Sequence, residues 1–406
     1  MTEILTGVLL FTAIAMALVV AVLAARAWLA PTGVATLRVN EDRVVTAHCG
    51  EKLLGALHGA GILVPGSCGG KGTCGQCRVG VLSGAGPALP MESSRLTRRE
   101  LALGTRLACQ VTLCGDLEVR VPEDVLGVRR WTCRVRRARC VATFIKEIVL
   151  ELPAGESLGV PAGRYVLVTC PPYRLPYRDL AIDAAVRADW DRVDLWRHTA
   201  GTSVPTTRAY SLANSPEERG VAVLVVRIAT PPPAVPEAPP GIVSSWLFSL
   251  RPGDPALVSG PYGHVALEPG EHELVFVGGG AGMAPMRAHI LDQLLRLKTR
   301  RRLRFFYGAR SLRELFYAEE FDRLAAEYPN FAWSVALSEP RPGDAWQGET
   351  GFVHEVFRRR HLEPHPAPET CEYYLCGPPL MVKAVRSLLD EFGVDAERIR
   401  TDDFES

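Results

Sequence analysis

The chain has 406 residues and a formal net charge of +1, with 47% hydrophobic and 22% charged residues. At about 100–200 residues per domain, this length predicts two to four globular domains. The balanced charge provides no basic face, so we expect no nucleic-acid partner. The 11 cysteines are an odd number in a long apolar chain. They fit a secreted disulfide framework poorly and favour thiolate ligands in a reducing compartment.

An uncharged stretch at residues 4–25 predicts a transmembrane helix. At 1.5 Å per residue it would be about 33 Å long, enough to cross a bilayer. A signal peptide is the alternative, because Ala25-Arg26-Ala27 resembles a cleavage site. A signal peptide needs a basic start, however, and the residues before this stretch include Glu3 but no Lys or Arg. Since Arg26 follows it, the positive-inside rule places the soluble domains in the cytoplasm. The stretch holds no ionisable residue, so ion translocation is expected in partner proteins.

Residues 32–124 predict a small domain of strands and helices around a cysteine-rich loop. Residues 35–39 and 43–47 alternate as a hairpin, and residues 117–121 alternate as a closing strand. Residues 51–60 have the apolar spacing of a helix.

Four cysteines of this domain have the spacing of a metal site: Cys68, Cys74, Cys77 and Cys109. The first three form C-x5-C-x2-C in one glycine-rich loop, and the fourth follows after 31 residues. Plant-type ferredoxins hold a [2Fe–2S] cluster with C-x4-C-x2-C…C, one residue shorter in the first gap. Zinc is the alternative, although four-cysteine zinc sites usually use two C-x2-C pairs. Cys114 is another candidate for the fourth ligand. We prefer Cys109 for its Leu-Ala-Cys-Gln context, which ferredoxin-like domains share, and expect it to follow a helix.

Residues 127–268 predict an antiparallel β-barrel, with β-rich runs at 141–152, 165–170 and 221–229. The β-rich part is expected to begin near Trp131. Between Pro171 and Thr207 lies a polar insertion that contains Trp and Arg and has no clear period. It exceeds ordinary connections in length, so we predict a functional or docking loop.

Residues 272–406 alternate between strands and helices, which predicts a doubly wound parallel sheet. Strands are expected at 274–277, 303–307, 331–337 and 373–376, and a helix at 285–297. The first strand runs into Gly278-Gly279-Gly280-Ala281-Gly282, followed by Pro285. Proline stands where the dinucleotide fingerprint has its last glycine, but proline suits the first turn of a helix.

Four motifs resemble the ferredoxin-NADP reductase superfamily: Arg208-Ala209-Tyr210-Ser211, Gly241-Ile242-Val243-Ser244-Ser245, Gly278 to Pro285, and Cys376-Gly377-Pro378-Pro379. The resemblance implies that Arg208 binds the FAD pyrophosphate, Tyr210 stacks on the isoalloxazine and Ser211 hydrogen-bonds near flavin N5. It also implies a phosphate-binding helix start formed by Gly241, Ser244 and Ser245.

The same resemblance implies a nicotinamide nucleotide site. Its pyrophosphate would lie on the loop formed by Gly278, Gly280, Gly282 and Pro285. Cys376, followed by Gly377 and Pro378, would lie beside the nicotinamide, and Phe404 would cover the flavin until NADH displaces it. Glu314 suits an adenosine ribose, whereas Arg310 and Arg313 suit a 2′-phosphate, so NADH and NADPH both remain open.

The order of segments is membrane helix, ferredoxin-like domain, flavin barrel and nucleotide domain. Soluble oxygenase reductases share the last three. Over essentially the whole chain, including the x5 gap, residues 227–233, 307–310 and 402–404, the sequence is similar to the F subunit of the sodium-translocating NADH:quinone oxidoreductase.

This resemblance implies a single-pass protein of the bacterial inner membrane that works with other membrane subunits and reaches quinone through them. A hydride would pass from NADH to FAD, and single electrons would then pass to the [2Fe–2S] cluster. The alternatives are an NADH-dependent reductase component of an oxygenase and a membrane-tethered ferredoxin without enzymatic activity.

Overall fold

The computed structural model of the chain comprises two compact units, Met1–Leu126 and Gly127–Ser406. It describes residues 2–29, 33–66, 68–159, 162–232, 235, 237–263, 267 and 270–402. The first unit begins with a long helix, α1 (Thr2–Leu29). Over the described residues, none of the helices combines the length and the apolarity needed to cross a membrane.

The rest of the first unit is built around a five-stranded sheet. Its elements are β1 (Val34–Val39), β2 (Arg43–His48), α2 (Leu53–Gly59), β3 (Arg78–Ser83), α3 (Pro90–Ser93), α4 (Arg98–Ala102), β4 (Thr105–Leu107), β5 (Leu117–Arg120) and α5 (Glu123–Leu126). The strand order is β2-β1-β5-β3-β4, with β1 and β5 parallel and the other pairs antiparallel. Helix α2 buries Leu53, Ala56 and Leu57. This is a β-grasp arrangement, and it confirms the predicted hairpin and closing strand.

The second unit begins with a six-stranded antiparallel sheet. The elements of this part of the chain are β6 (Arg129–Ala142), β7 (Ile145–Glu151), β8 (Tyr165–Cys170), β9 (Tyr173–Pro176), α6 (Ala184–Arg192), β10 (Thr199–Thr202), β11 (Thr206–Ser211), β12 (Val221–Arg227), α7 (Ile242–Ser249) and β13 (Pro255–Tyr262). All of these strands except β9 and β10 belong to the six-stranded sheet. The strand order is β11-β8-β13-β6-β7-β12, and a bridge between Leu212 and Leu224 links the two ends.

Two details of this sheet differ from the sequence prediction. The run predicted at residues 141–152 is broken by a turn at 143–144, between the end of β6 and the start of β7. Apolar residues on both sides concealed that turn, because neither Thr143 nor Phe144 is a strong turn former. Strand β6 also begins two residues before Trp131, with Arg129 and Arg130, which are both exposed and so carry no alternating signal.

The insertion between Pro171 and Thr207 is folded, so its prediction as a loop is wrong. Strands β9 and β10 pair as a two-stranded sheet, and the Asp183 side chain caps α6 by accepting a hydrogen bond from the Ala185 amide at 3.0 Å. Trp190 and Tyr177 are fully buried in the same core as the antiparallel sheet. The elements are too short to show a hydrophobic period, and two large aromatic side chains supply the burial instead.

The chain ends in a six-stranded parallel sheet, as predicted. Its elements are β14 (Leu274–Gly279), α8 (Met283–Leu291), β15 (Leu303–Ala309), α9 (Ala318–Glu327), β16 (Phe331–Leu337), β17 (Glu349–Thr350), α10 (Val353–Phe357), β18 (Glu372–Cys376), α11 (Pro379–Glu391) and β19 (Ile399–Thr401). The order is β17-β16-β15-β14-β18-β19. Strand β14 is therefore the neighbour of β18, and the order changes direction between these two strands. A ligand is expected outside the carboxyl ends of strands at such a point.

Helix α8 begins at Met283, two residues earlier than predicted, and passes into a π-helical turn at Asp292–Arg296. Pro285 thus lies in the first turn, where a missing backbone N–H leaves no intrahelical hydrogen bond unmade.

Candidate functional site

The structure brings the four predicted cluster ligands together in the first unit. Cys68, Cys77 and Cys109 are buried, and Cys74 is half-buried. The thiols interact in two hydrogen-bonded pairs, Cys68 with Cys74 and Cys77 with Cys109. The second pair forms because β3 pairs with β4, after which the Ala108 amide donates to the Cys77 carbonyl at 2.8 Å. Cys109 therefore follows a short strand and not, as predicted, a helix.

The surroundings of Cys68 and Cys109 favour thiolate, the form that binds iron, whereas the hydrogen bond with Cys109 and burial raise the pKa of Cys77. Hydrogen bonds from the Cys77 thiol and from the Gln110 amide, whose Nε2 lies 3.3 Å from Sγ, lower the pKa of Cys109 to about 6. Burial alone would raise the pKa of Cys68, but hydrogen bonds with Cys74 and Thr73 lower it to about 7. Cys114 is exposed, and its thiol lies 3.7 Å from the Thr112 carbonyl.

The glycines of the loop leave room for close packing around the sulfur atoms. Gly72 has a φ of +78°, and a Cβ there would lie 2.8 Å from both Gln110 Nε2 and Met91 Cγ. A side chain at Gly72 would displace the amide that bonds Cys109. The donor set and the loop thus fit a four-thiolate iron–sulfur cluster.

Glu92 supports this site, although nothing in the sequence singled it out. Its carboxylate is fully buried and accepts hydrogen bonds from Arg106 Nε at 2.9 Å and Nη2 at 2.7 Å. It also accepts from the Leu89 and Leu107 amides, each at 2.9 Å. Glu92 therefore fixes the end of β4, two residues before Cys109. An isolated glutamate in a four-residue helix carries no pattern that would have revealed this.

The predicted flavin residues lie at the end of β11 in the second unit. Arg208 and Tyr210 are two residues apart and share a face of the strand. Arg208 Nη1 donates to the Thr207 carbonyl at 2.8 Å. Ser211 ends β11, and its Oγ donates to Asp402 Oδ2 at 2.9 Å.

Asp402 links this strand end to the predicted nicotinamide element. Its amide donates to the Leu375 carbonyl at 3.0 Å, next to Cys376. The carboxylate therefore holds Ser211 near the end of β18. Residues 402–404 belong to the stretch that resembles the F-subunit family, but nothing in the sequence indicates a role for Asp402. Phe404 lies outside the described residues.

The second predicted flavin motif forms the start of α7, with Gly241 at its N-cap. Ser244 Oγ accepts from the Ala229 amide at 3.2 Å. Ser245 Oγ lies 2.5 Å from the Gly241 carbonyl and 2.7 Å from the Tyr177 hydroxyl. Both hydroxyls thus have partners within the protein. An anion would instead meet the backbone N–H groups of the first turn, which have no intrahelical acceptor.

The glycine loop after β14 lies directly against the end of β18. A Cβ on Gly282 would stand 2.1 Å from the Cys376 carbonyl oxygen, so only glycine allows this contact. Gly280 has a φ of +56°, and its open side has no neighbour within 4 Å among the described residues. A Cβ on Gly377 would lie 3.0 Å from the Gly279 nitrogen, and Pro378 then caps α11. Gly278 is buried in β14.

Arg287 on α8 joins the nucleotide sheet to the flavin sheet. Its guanidinium is 7% exposed, donates to Glu320 at 2.6 Å and Glu218 at 3.0 Å, and reaches the Ala213 carbonyl at 2.6 Å. It also stacks over the Tyr317 ring at 4.8 Å. Sequence reasoning missed this residue, because its partners are distant along the chain.

Three family models match the chain. They describe a 2Fe-2S iron-sulfur cluster binding domain at residues 37–114, an oxidoreductase FAD-binding domain at 197–267 and an oxidoreductase NAD-binding domain at 276–387. Among solved structures, an Amycolatopsis cytochrome P450 reductase aligns with a TM-score of 0.64 and 27% identity, over 91% of this chain and 98% of its own. The ferredoxin reductase of carbazole 1,9a-dioxygenase shares the fold, with a TM-score of 0.58 and 23% identity over 92% of this chain and 99% of its own.

Similarity to two curated proteins extends over the full length. The F subunit of the Na(+)-translocating NADH-quinone reductase of Methylococcus capsulatus is 52% identical over 405 residues, 100% of both chains. The protein of the same name from Yersinia pestis is 50% identical over 404 residues, 99% of both chains. The resemblance identified in the sequence is thereby confirmed, and the chain belongs to the family of F subunits of Na(+)-translocating NADH-quinone reductases.

Proposed function

We propose that this chain is the subunit through which electrons from NADH enter a sodium-translocating quinone reductase. Besides family membership, one observation carries the proposal: the ends of β11, β14 and β18 bring Ser211, the glycine loop and Cys376 to one place. Gly282 contacts the Cys376 carbonyl, and Asp402 connects Leu375 to Ser211. This is where a dinucleotide is expected in an open α/β sheet.

The chain's residues bind and orient two redox groups and the nucleotide. When bound, FAD would take up a hydride and release its electrons one at a time, which the [2Fe–2S] cluster requires. Arg208 supplies a fixed cation for the flavin pyrophosphate, and Tyr210 supplies an aromatic face. Ser211, oriented by Asp402, offers a hydroxyl to the reacting edge of the flavin, and Cys376 borders the nicotinamide.

The remaining binding roles belong to backbone groups. The start of α7, with Gly241, Ser244 and Ser245, is proposed to hold a flavin phosphate. The nucleotide's pyrophosphate and nicotinamide are proposed to rest on Gly278, Gly280, Gly282, Pro285, Gly377 and Pro378. Displacement of Phe404 by NADH stays a prediction, as do the four cysteines as cluster ligands.

Although none of the described helices meets the requirements for a membrane span, we also propose, from the uncharged sequence of residues 4–25 and from family membership, that this segment anchors the protein in the bacterial inner membrane by a single pass, with its soluble domains in the cytoplasm. Support comes from the continuous helix Thr2–Leu29 and from its exposed apolar side chains, such as Phe11, which is 76% exposed. Residues 4–25 contain no ionisable group. Sodium and quinone are therefore assigned to other membrane subunits of the complex, which accept the electrons.

For the soluble part we propose three domains at residues 32–124, 127–268 and 272–406. The β-grasp sheet ends at Arg120, the antiparallel sheet ends at Tyr262 and the parallel sheet begins at Leu274. The three family matches each lie within one of these ranges.

NADH-driven quinone reduction tests the proposal. The tagged full chain would be purified from membranes in mild detergent with its co-purifying proteins, and assayed with and without sodium. We expect sodium-stimulated quinone reduction by a multi-subunit complex. Activity limited to artificial acceptors, with a soluble oxygenase or nothing attached, would instead support an oxygenase reductase.

The flavin assignment has its own test. Replacing Arg208 with Ala should release FAD during purification, because the pyrophosphate loses its fixed cation. Arg219→Ala, at an exposed turn between β11 and β12, is the matched control and should retain flavin. Full flavin content in the Arg208 variant would refute the assigned role.

A further inference from the structure

The folded insertion places a buried carboxylate against the nucleotide domain. Asp189 on α6 is 4% exposed and binds three guanidinium groups. Arg192 Nη2 lies 2.9 Å from Oδ1, Arg341 Nη2 lies 2.9 Å from the same oxygen, and Arg313 Nη1 lies 3.0 Å from Oδ2. Burial alone would raise the pKa of Asp189, but hydrogen bonds from Arg341 and Arg313 hold it below its ordinary value. The carboxylate is therefore charged at neutral pH.

Two of these arginines come from the carboxyl edge of the parallel sheet. Arg313 follows β15, the strand beside β14 and its glycine loop, and Arg341 follows β16. The Tyr307 hydroxyl ties β15 to this loop by donating to the Gly280 carbonyl at 3.2 Å. In dinucleotide folds, this region meets the adenosine ribose. An acidic residue there accepts from the 2′-hydroxyl of NADH, and an arginine accommodates the 2′-phosphate of NADPH.

A cavity of about 150 Å³ opens at this point. Arg310 and Ser311 line it from the β15 side, and Asp189 and Thr143 line it from the flavin side. Glu314 also faces it and accepts a hydrogen bond from Thr143 Oγ1 at 2.5 Å. The insertion therefore reaches the region in which the adenosine ribose is expected, and it adds a negative charge there.

We propose that Asp189 is a specificity-determining residue that favours NADH over NADPH. The inference rests on the proposed function as the NADH-oxidising subunit of a quinone reductase. Asp189 binds the guanidinium groups of Arg313 and Arg341, which are then less available to a 2′-phosphate. Its own charge also repels such a phosphate, whereas a ribose hydroxyl is tolerated.

Replacing Asp189 with Asn tests this assignment, because the amide keeps the side-chain volume and one acceptor but removes the charge. Anaerobic flavin bleaching by the full chain would give kcat/KM for NADH and for NADPH. We expect the NADPH-to-NADH ratio of kcat/KM to rise by about tenfold, the effect of one charge-assisted hydrogen bond gained by the 2′-phosphate. A merely structural role would lower both rates together and leave the ratio unchanged, which would overturn the proposal.

Three further variants sharpen the test. Asp194→Asn alters an exposed pair with Arg197 in the same insertion, at 3.8 Å, and should leave both rates and their ratio unchanged. Adding Arg313→Gln to the Asp189 variant should reduce the gain with NADPH, because it removes one of the two guanidinium groups that the loss of the Asp189 charge frees. Arg313→Gln alone should leave the ratio at its wild-type value, since Asp189 already holds that guanidinium.

A fall of the ratio in the Arg313 single variant would overturn the proposal even if the Asp189 variant failed to fold. Failure of wild-type protein to bleach with NADH would instead refute the proposed function. Bleaching of the wild type combined with an unchanged ratio in the Asp189 variant would refute this inference alone.

Discussion

The two units of the molecule assemble their chemistry in different ways. In the first unit, three of the four thiols belong to one glycine-rich loop, and the fourth reaches it through the pairing of β3 with β4. In the second unit, the site residues come from the ends of three strands, β11, β14 and β18, and hydrogen bonds of Asp402 and ion pairs of Arg287 connect the elements that carry them. A change in the cysteine loop should therefore affect one redox group, whereas a change at a junction of the second unit should affect flavin and nucleotide together.

The largest expected effect is in the cysteine loop. Replacing Cys74 with Ala should abolish the cluster's EPR signal, because the iron loses a thiolate ligand. FAD content and its bleaching by NADH should survive. Cys114→Ala, which alters an exposed thiol, is the control and should keep the cluster. Loss of cluster and flavin together would contradict the separation of the two units.

A junction of the second unit should show the next largest effect. Replacing Arg287 with Gln leaves Glu218 and Glu320 without their buried partner, which should cost about 3–5 kcal/mol of stability. The release of flavin on heating reports thermal unfolding and so measures this loss of stability. Arg358→Gln, which alters surface pairs with Glu363 and Glu391, is the control and should leave the unfolding temperature close to that of wild type. Equal losses of stability in the two variants would contradict the stabilising role of the Arg287 ion pairs.

Gly282→Ala probes the contact between the glycine loop and β18. The new Cβ cannot stand 2.1 Å from the Cys376 carbonyl oxygen, so the loop must shift. Misplacement by about 1 Å should slow flavin reduction by NADH about 100-fold. Stopped-flow bleaching measures the rate. Gly343→Ala, where a Cβ meets no neighbour among the described residues, should leave it unchanged. A wild-type rate in the Gly282 variant would mean that nucleotide binds elsewhere.

The smallest effect concerns Glu92 and depends on pH. Burial alone would raise its pKa, but hydrogen bonds from Arg106 and two amides hold it below the ordinary value of 4.5. Its stabilisation is therefore present above about pH 4.5 and is lost as the pH falls through the lowered pKa. At neutral pH, Glu92→Gln should cost about 1–3 kcal/mol.

The difference in melting temperature between wild type and the Glu92 variant should shrink as the pH is lowered to about 4. Glu41→Gln, at an exposed turn, should show no such trend. A difference that stays constant with pH would mean that the Glu92 carboxylate does not carry the effect.

The same contrast explains what the sequence could predict. The cysteine loop and the β14 glycine loop were recognisable because their residues are close in the chain and their chemistry requires particular residue types. The parallel sheet was predicted because β14, β15, β16 and β18 are buried runs separated by helices. Asp402 and Arg287 could not be given a role, since each acts through partners distant along the chain, and Glu92 could not because an isolated glutamate in a four-residue helix carries no pattern. The insertion was wrongly predicted to be a loop because its hydrophobic residues show no regular period, although Tyr177 and Trp190 are buried in the core.

The central claim is that electrons from NADH reach the cluster through the flavin. The most direct measurement mixes purified full-length protein with NADH anaerobically and follows flavin absorbance and, after rapid freezing, the EPR signal of the reduced cluster. We predict that flavin bleaching precedes the cluster signal, and that flavin-free Arg208→Ala protein shows no cluster reduction by NADH. Cluster reduction at the wild-type rate in that flavin-free protein would contradict the account.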